Sequence, residues 1–149
     1  MKFYLTLICI TLSTLSYAQP TELLDLPTYF QNDSIQAQAG EKGLFYQMEE
    51  EGYGANPKAG DYVQLKYVGR LLNGKEFDRS EENEPFVFQV GYRQVIQGWD
   101  LGIPLFKVGS KGKLYLPPHL AYGRNGAGKI IPPNAALEFD IEVLDIMDF

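Results

Sequence analysis

The chain carries one cysteine, Cys9, and one histidine, His119, among 149 residues. Cys9 lies inside the first 18 residues, so a chain trimmed there has no disulfide, no thiolate metal site and no cysteine nucleophile. A single histidine after Pro117-Pro118 leaves too few parts for a histidine metal cluster or a Ser-His-Asp triad, and reads as a solvated loop residue. Basic residues are also scarce: 13 Lys and Arg stand against 19 Asp and Glu, a formal charge of -6, with no local Lys/Arg run. Nucleic acid and anionic membrane surfaces are therefore poor partners. No internal repeat is present. The longest apolar run falls short of the roughly 20 residues that a membrane-spanning helix needs.

That run has another meaning. Lys2 is followed by apolar Phe3 to Leu15 and then by Ser16-Tyr17-Ala18, the order of charge, apolar core and small residues of an export signal. Residues 1–18 are read as a signal peptide. The expected mature terminus is Gln19, in a periplasmic or secreted protein with no membrane span after cleavage. Residues 19–42 mix Leu23, Leu24, Leu26, Tyr29 and Phe30 with polar positions, and are expected to form a leader that packs loosely or hands on to a partner. Residues 43–149 form one domain, long enough to bury a core.

Within that domain the patterning is that of strands. Leu44 to Glu51 suits an edge strand. Val63, Leu65 and Tyr67 alternate with Gln64 and Lys66, as in a half-buried antiparallel strand, and Asn73-Gly74 suits a tight reversal. Phe86 to Val90, Lys113 to Leu116, and the alternation of Leu137, Phe139, Ile141 and Val143 complete about five strands. One short amphipathic segment, Val95 to about Leu105, carries the only tryptophan, Trp99, and predicts a helix with Val95, Ile96 and Trp99 on its apolar side. The fold class is α+β, with the helix against one sheet face. Tyr67, Phe77, Phe86, Trp99, Tyr122 and Phe139 fall near the crevice this leaves, and the long loop 119–134 borders it.

Motifs for covalent or nucleotide chemistry fail on inspection. Gly123 to Lys129 has the glycine and lysine spacing of a phosphate loop. Ile130 stands where the magnesium-binding hydroxyl belongs, and Pro132-Pro133 blocks the helix that should follow. Ser110-Lys111-Gly112-Lys113 has a serine-to-lysine spacing seen in acyl transfer, but reads as a turn between glycines. Glu49 to Glu51 and Glu81 to Glu84 lack the ligand spacing of a calcium loop. What remains is an aromatic crevice with one carboxylate, Asp78. It suits a reaction needing no acid, base or nucleophile, or binding alone.

Seven stretches point further. Tyr67-Val68-Gly69, Gly74 to Ser80, Pro85 to Phe88, Val95 to Asp100, Leu116-Pro117-Pro118, Ala121-Tyr122-Gly123 and Ile131 to Phe139 resemble, in order and spacing, the FKBP-type (tacrolimus-binding) peptidyl-prolyl cis-trans isomerases. The resemblance covers about Gly43 to Phe149. It implies a curled antiparallel sheet wrapped on one short helix, no cofactor and no metal. The implied ligands are proline-containing unfolded or partly folded polypeptides, with macrolides as a second class. It makes Trp99 the floor beneath the substrate proline and has the Ile96 N–H and Tyr122 hydroxyl donate to substrate. Phe77, Phe139 and Tyr67 wall the ring, Asp78 forms the polar edge, and Phe86, Val95 and Ile131 add binding surface. Two departures stand out. The loop after Asp78 is acidic, leaving only Arg79 nearby to steady that carboxylate, and Gly126 to Lys129 has no aromatic or histidine. A non-catalytic module holding proline-containing partner segments is the alternative.

Overall fold

The alternation of residues 61–71 and 137–147 becomes the spine of an antiparallel sheet in the computed structural model, which describes residues 23–149. The expected signal peptide, with Cys9 and the Gln19 terminus, lies outside the described residues. Seven strands form: β1 (Gln38–Ala39), β2 (Phe45–Glu50), β3 (Tyr62–Leu71), β4 (Glu76–Arg79), β5 (Phe86–Gln89), β6 (Lys111–Leu116) and β7 (Leu137–Met147). Their order is β1-β2-β6-β7-β3-β4, with β5 also paired to β3. β3 and β7 pair along their whole lengths, with a register shift at Gln64/Leu65. Val63, Leu65, Leu137, Phe139, Ile141 and Val143 point into the core, while Asp140 and Glu142 face outward at the solvated positions.

The sheet has seven strands where the pattern showed about five. β1 is only two residues long, and β4 carries three exposed side chains around Phe77, so neither bears an apolar alternation that marks a strand. The helix is shorter than the amphipathic segment. α2 covers Gln97–Gly102 and passes into a 3-10 turn at Ile103–Leu105, where Pro104 removes a backbone donor. Ile96 is its N-cap, so Val95 and Ile96 lie on the entering loop and not on the helix. α2 rests very close to β6. A Cβ on Gly98 would stand 2.4 Å from the Leu116 side chain, and one on Gly102 2.6 Å from that of Leu114. The glycines let the helix backbone approach the sheet, which brings Trp99 into the core beside Phe88 and Phe139.

A second helix, α1 (Leu26–Asp33), corrects the expectation of a loosely packed leader. Asp25 caps it by accepting from the Thr28 N–H at 2.8 Å, and Pro27 begins its first turn. Its Phe30 ring meets Tyr115 at 5.0 Å and Phe45 at 5.1 Å, both edge-on, in a small second core with Leu26, Leu72 and Ala136. The Tyr29 hydroxyl donates to Glu138 at 2.6 Å. Glu138 also accepts from Lys113, which bonds Asp140, which in turn accepts from Arg70. This network ties α1 to β3, β6 and β7 on the sheet face opposite α2.

Candidate active site

Where α2, the inner sheet face and the loop after β5 meet, a cavity of about 220 Å³ opens above Trp99. Trp99 is 4% exposed, yet its ring is a shared wall and not a sealed plug. Tyr67 stands edge-on to it at 4.9 Å, Phe139 at 5.3 Å and Phe86 at 5.7 Å. Phe77 meets Phe139 edge-on at 5.7 Å and completes the wall. These perpendicular contacts suit the quadrupoles of the rings and fix their tilt. Among the described residues, the Trp99 indole N–H is the one buried side-chain polar atom without a hydrogen-bond partner. The floor therefore carries a folding cost that an apolar core residue would avoid.

Gly69 makes the aromatic wall possible. In the register of β3 it lies between Asp78 on β4 and Phe139 on β7. A Cβ there would be 2.6 Å from the Phe77 ring and 2.9 Å from the Phe139 ring. Both rings pack on bare backbone.

Arg79, the one basic residue near Asp78 in sequence, does not steady its carboxylate. The Arg79 guanidinium turns away to Glu76, at 2.5 and 2.6 Å. Asp78 instead accepts from the Tyr67 hydroxyl at 2.7 Å and from the Arg79 backbone N–H at 2.9 Å. Burial, reinforced by the bond to Asp78, raises the Tyr67 phenol well above its ordinary value, so it stays a donor at neutral pH. Burial and then the Asp78 charge push Tyr122 upward as well. Tyr122 is 40% exposed, at the mouth. The Ile96 N–H has no hydrogen-bond partner among the described residues, and Ile96 and Val95 line the same cavity.

Nine of the ten expected residues thus meet at one cavity: Tyr67, Phe77, Asp78, Phe86, Val95, Ile96, Trp99, Tyr122 and Phe139. Ile131 does not join them. It is 5% exposed in the main core, and its backbone closes the 127–131 turn through reciprocal bonds with Ala127. Gln94 also lines the cavity, directly before Val95, and no sequence pattern marks it apart from its place in the loop. Its Oε1 accepts from the Gln89 N–H at 2.9 Å. Ser110 is fully buried and its hydroxyl accepts from the Gly52 N–H, a structural use that removes it as a nucleophile.

Two other clefts lack the parts of a reaction site. One of about 430 Å³, between Leu23-Leu24, Leu71 to Asn73, Pro132-Pro133 and Ala135-Ala136, has Asn73 as its only polar residue. One of about 240 Å³ on the outer sheet face is lined by charges, with Lys66 paired to Glu82. Of these three clefts, the aromatic cavity combines an apolar floor with free donors. No group of three or more metal-ligating side chains occurs among the described residues.

Comparison with known proteins gives the same region a lineage. Residues 53–144 match the family model of FKBP-type peptidyl-prolyl cis-trans isomerases. FK506-binding protein 1 of Debaryomyces hansenii is 50% identical over 99 residues, covering 65% of this chain and 88% of that one. FK506-binding protein 4 of Dictyostelium discoideum is 51% identical over 102 residues, 68% of this chain and 28% of that one. The isomerase FkpA of Aeromonas hydrophila is 51% identical over 107 residues, 71% of this chain and 39% of that one. The chain thus spans well under half the length of the latter two. A crystal structure of a peptidyl-prolyl cis-trans isomerase from Pseudomonas syringae superposes with a TM-score of 0.73 at 31% identity, covering 82% of this chain and 90% of that one.

Proposed function

The chain belongs to the FKBP-type peptidyl-prolyl cis-trans isomerase family, and from that membership we propose that it catalyses cis-trans isomerisation of X-Pro bonds in unfolded or partly folded polypeptides. The observation that carries this reading is the aromatic cavity: Trp99 as floor, Phe77 and Phe139 as wall, and the Ile96 N–H without an internal partner.

The chemistry fits those residues. Peptide resonance sets a rotation barrier of about 18–20 kcal/mol, and X-Pro bonds exchange unaided over roughly tens to hundreds of seconds. Twisting the bond breaks the resonance, so the twisted amide is less polar than either planar form. A water-poor aromatic cavity disfavours the planar amide relative to the twisted one. Trp99 and the flanking rings hold the proline while the Ile96 N–H fixes a substrate carbonyl, and the Tyr122 hydroxyl at the mouth is a second donor. Asp78, oriented by Tyr67, sets the polar edge. No proton changes hands. About 5 kcal/mol of differential binding is several thousandfold in rate.

Macrolides are the second ligand class proposed for the same cavity. Two of the relatives bear the name FK506-binding protein, and a cyclic ligand with a proline-like ring would press that ring on Trp99 as a substrate does. The destination follows from the first 18 residues, whose order is that of an export signal; the clients would then be exported chains that need X-Pro exchange to fold. A non-catalytic binding module drew support from the acidic loop after Asp78. The bonds from Tyr67 and the Arg79 backbone supply what a basic loop residue would supply, which favours the enzyme.

The test is refolding of a protein whose slow phase is X-Pro isomerisation. Substoichiometric amounts of the chain should accelerate that phase, and FK506 should suppress the acceleration; a slow phase unchanged by the chain contradicts the proposal. Export is tested by sequencing the terminus of the protein isolated from its organism. Gln19 supports it, and an intact Met1 opposes it.

A further inference from the structure

The loop between β5 and α2 delivers the Ile96 N–H to the cavity, and one carboxylate accepts from two of its backbone amides. Gly91 and Arg93 both lie in the left-handed region, at φ +81° and +56°. For an arginine that conformation persists only where its surroundings compensate. Asp100 supplies the compensation: Oδ1 accepts from the Gly91 N–H at 2.8 Å and Oδ2 from the Arg93 N–H at 3.0 Å. Asp100 forms no ion pair among the described residues, so both its oxygens serve backbone donors.

Its position gives the clamp a functional meaning. Asp100 follows Trp99 in the first turn of α2, and the Trp99 N–H bonds the Ile96 carbonyl at 3.0 Å. The carboxylate therefore locks the loop that ends in the Ile96 donor to the helix that bears the floor. Donor and floor must keep one spacing if a substrate carbonyl and its neighbouring proline are to be held together.

We propose that Asp100 is a positioning residue for isomerisation, setting the Ile96 N–H relative to the Trp99 ring without touching substrate. The inference rests on the isomerase reading above. Releasing the clamp frees the Gly91–Arg93 turn to leave its left-handed conformation and lets the Ile96 donor drift. The Ile96 donor holds the substrate in both planar and twisted forms, so its loss shows mainly in KM.

The experiment compares wild type with Asp100→Asn, Asp100→Glu and, as a surface control, Glu51→Gln, on the tetrapeptide Ala-Leu-Pro-Phe. Three readouts are taken: isomerisation KM and kcat, peptide Kd from the fluorescence of the sole tryptophan, and amide exchange at Gly91, Arg93 and Ile96. Asp100→Asn keeps the side-chain shape but turns one acceptor into a donor facing an N–H. It should raise KM and Kd about tenfold with kcat changed less than threefold, and speed exchange at Gly91 and Arg93. Asp100→Glu, which retains both acceptors, should recover most of the loss, and Glu51→Gln should match wild type. A purely structural role would lower kcat with the folded fraction and leave KM unchanged; that result, or wild-type Kd and exchange in Asp100→Asn, overturns the inference. A wild-type chain that binds the peptide without accelerating its exchange defeats the isomerase reading instead, and Kd and amide exchange then judge the clamp.

Discussion

The Tyr67 hydroxyl donates to Asp78 Oδ2 at 2.7 Å, across the β3–β4 pairing at the edge of the aromatic cavity. The basic side chain next to Asp78 makes no such contact, because Arg79 is engaged with Glu76. Tyr67→Phe should therefore lower kcat/KM several-fold and cost about 1 kcal/mol or less in stability, since the bond is solvent-accessible. Arg79→Ala should leave kcat/KM unchanged. The reverse ranking in a peptide isomerisation assay would return the role to Arg79.

Gly69→Ala should cost about 1–3 kcal/mol by overpacking, because the new methyl meets the rings of Phe77 and Phe139. Those rings can yield only by moving in the cavity they wall. Activity should fall further than the folded fraction does. Chemical denaturation together with kcat/KM on the same preparation checks both effects, and a stable Gly69→Ala chain with normal kinetics would show that the rings do not shape the site.

Phe30→Ala should separate stability from activity. Phe30 packs edge-on to Phe45 and Tyr115 on the opposite side of the sheet from the cavity. The truncation should cost about 2–3 kcal/mol, somewhat below a fully buried phenylalanine, with kcat/KM of the folded fraction unchanged. A kinetic defect would mean that α1 communicates with the cavity through β7, where Phe139 lies between Glu138 and Asp140.

Alkaline pH should unfold the protein sooner than it would a chain with ordinary phenols. Burial and then the Glu138 charge push the Tyr115 phenol up to about 12, and burial raises Tyr29 and Tyr67 as well. Burial opposes the charge on Lys113, but its bonds to Asp140 and Glu138 outweigh that and raise it too. A raised folded-state value means stability fully present below the unfolded value, near 10, and lost as pH climbs toward the folded value. The fully buried Tyr115 phenol forfeits about 1 kcal/mol by pH 11. Denaturant midpoints from pH 8 to 11.5 should fall above pH 10, less steeply in Tyr115→Phe; parallel slopes would remove Tyr115 as a cause.

Much of this site was legible because it is built from strands whose alternation is visible. Leu137, Phe139, Ile141 and Val143 place Phe139 inward without any coordinates, and Trp99 follows from a single amphipathic segment. Other features depend on contacts that period and composition do not encode. Ile131 belongs to a motif that borders the cavity, yet its backbone bonds with Ala127 turn it into the core. Gln94 and Asp100 bond backbone amides at the end of β5 and in the loop after it, which leaves no periodic trace. α1 escaped because its apolar residues face a satellite cluster on the outer sheet face, and Tyr115, fully buried there, has an ordinary strand position in sequence.

The most direct measurement of the central claim is cis-trans exchange of an X-Pro peptide in the presence of the chain and of Trp99→Ala, Phe77→Ala and Phe139→Ala, each corrected for its folded fraction. Wild type should accelerate exchange at least a hundredfold over the unaided reaction in kcat terms, about 2.7 kcal/mol of barrier lowering. The three variants should lose most of that acceleration. Exchange at the unaided rate with folded wild type, or full acceleration after the aromatic floor and walls are removed, would contradict it.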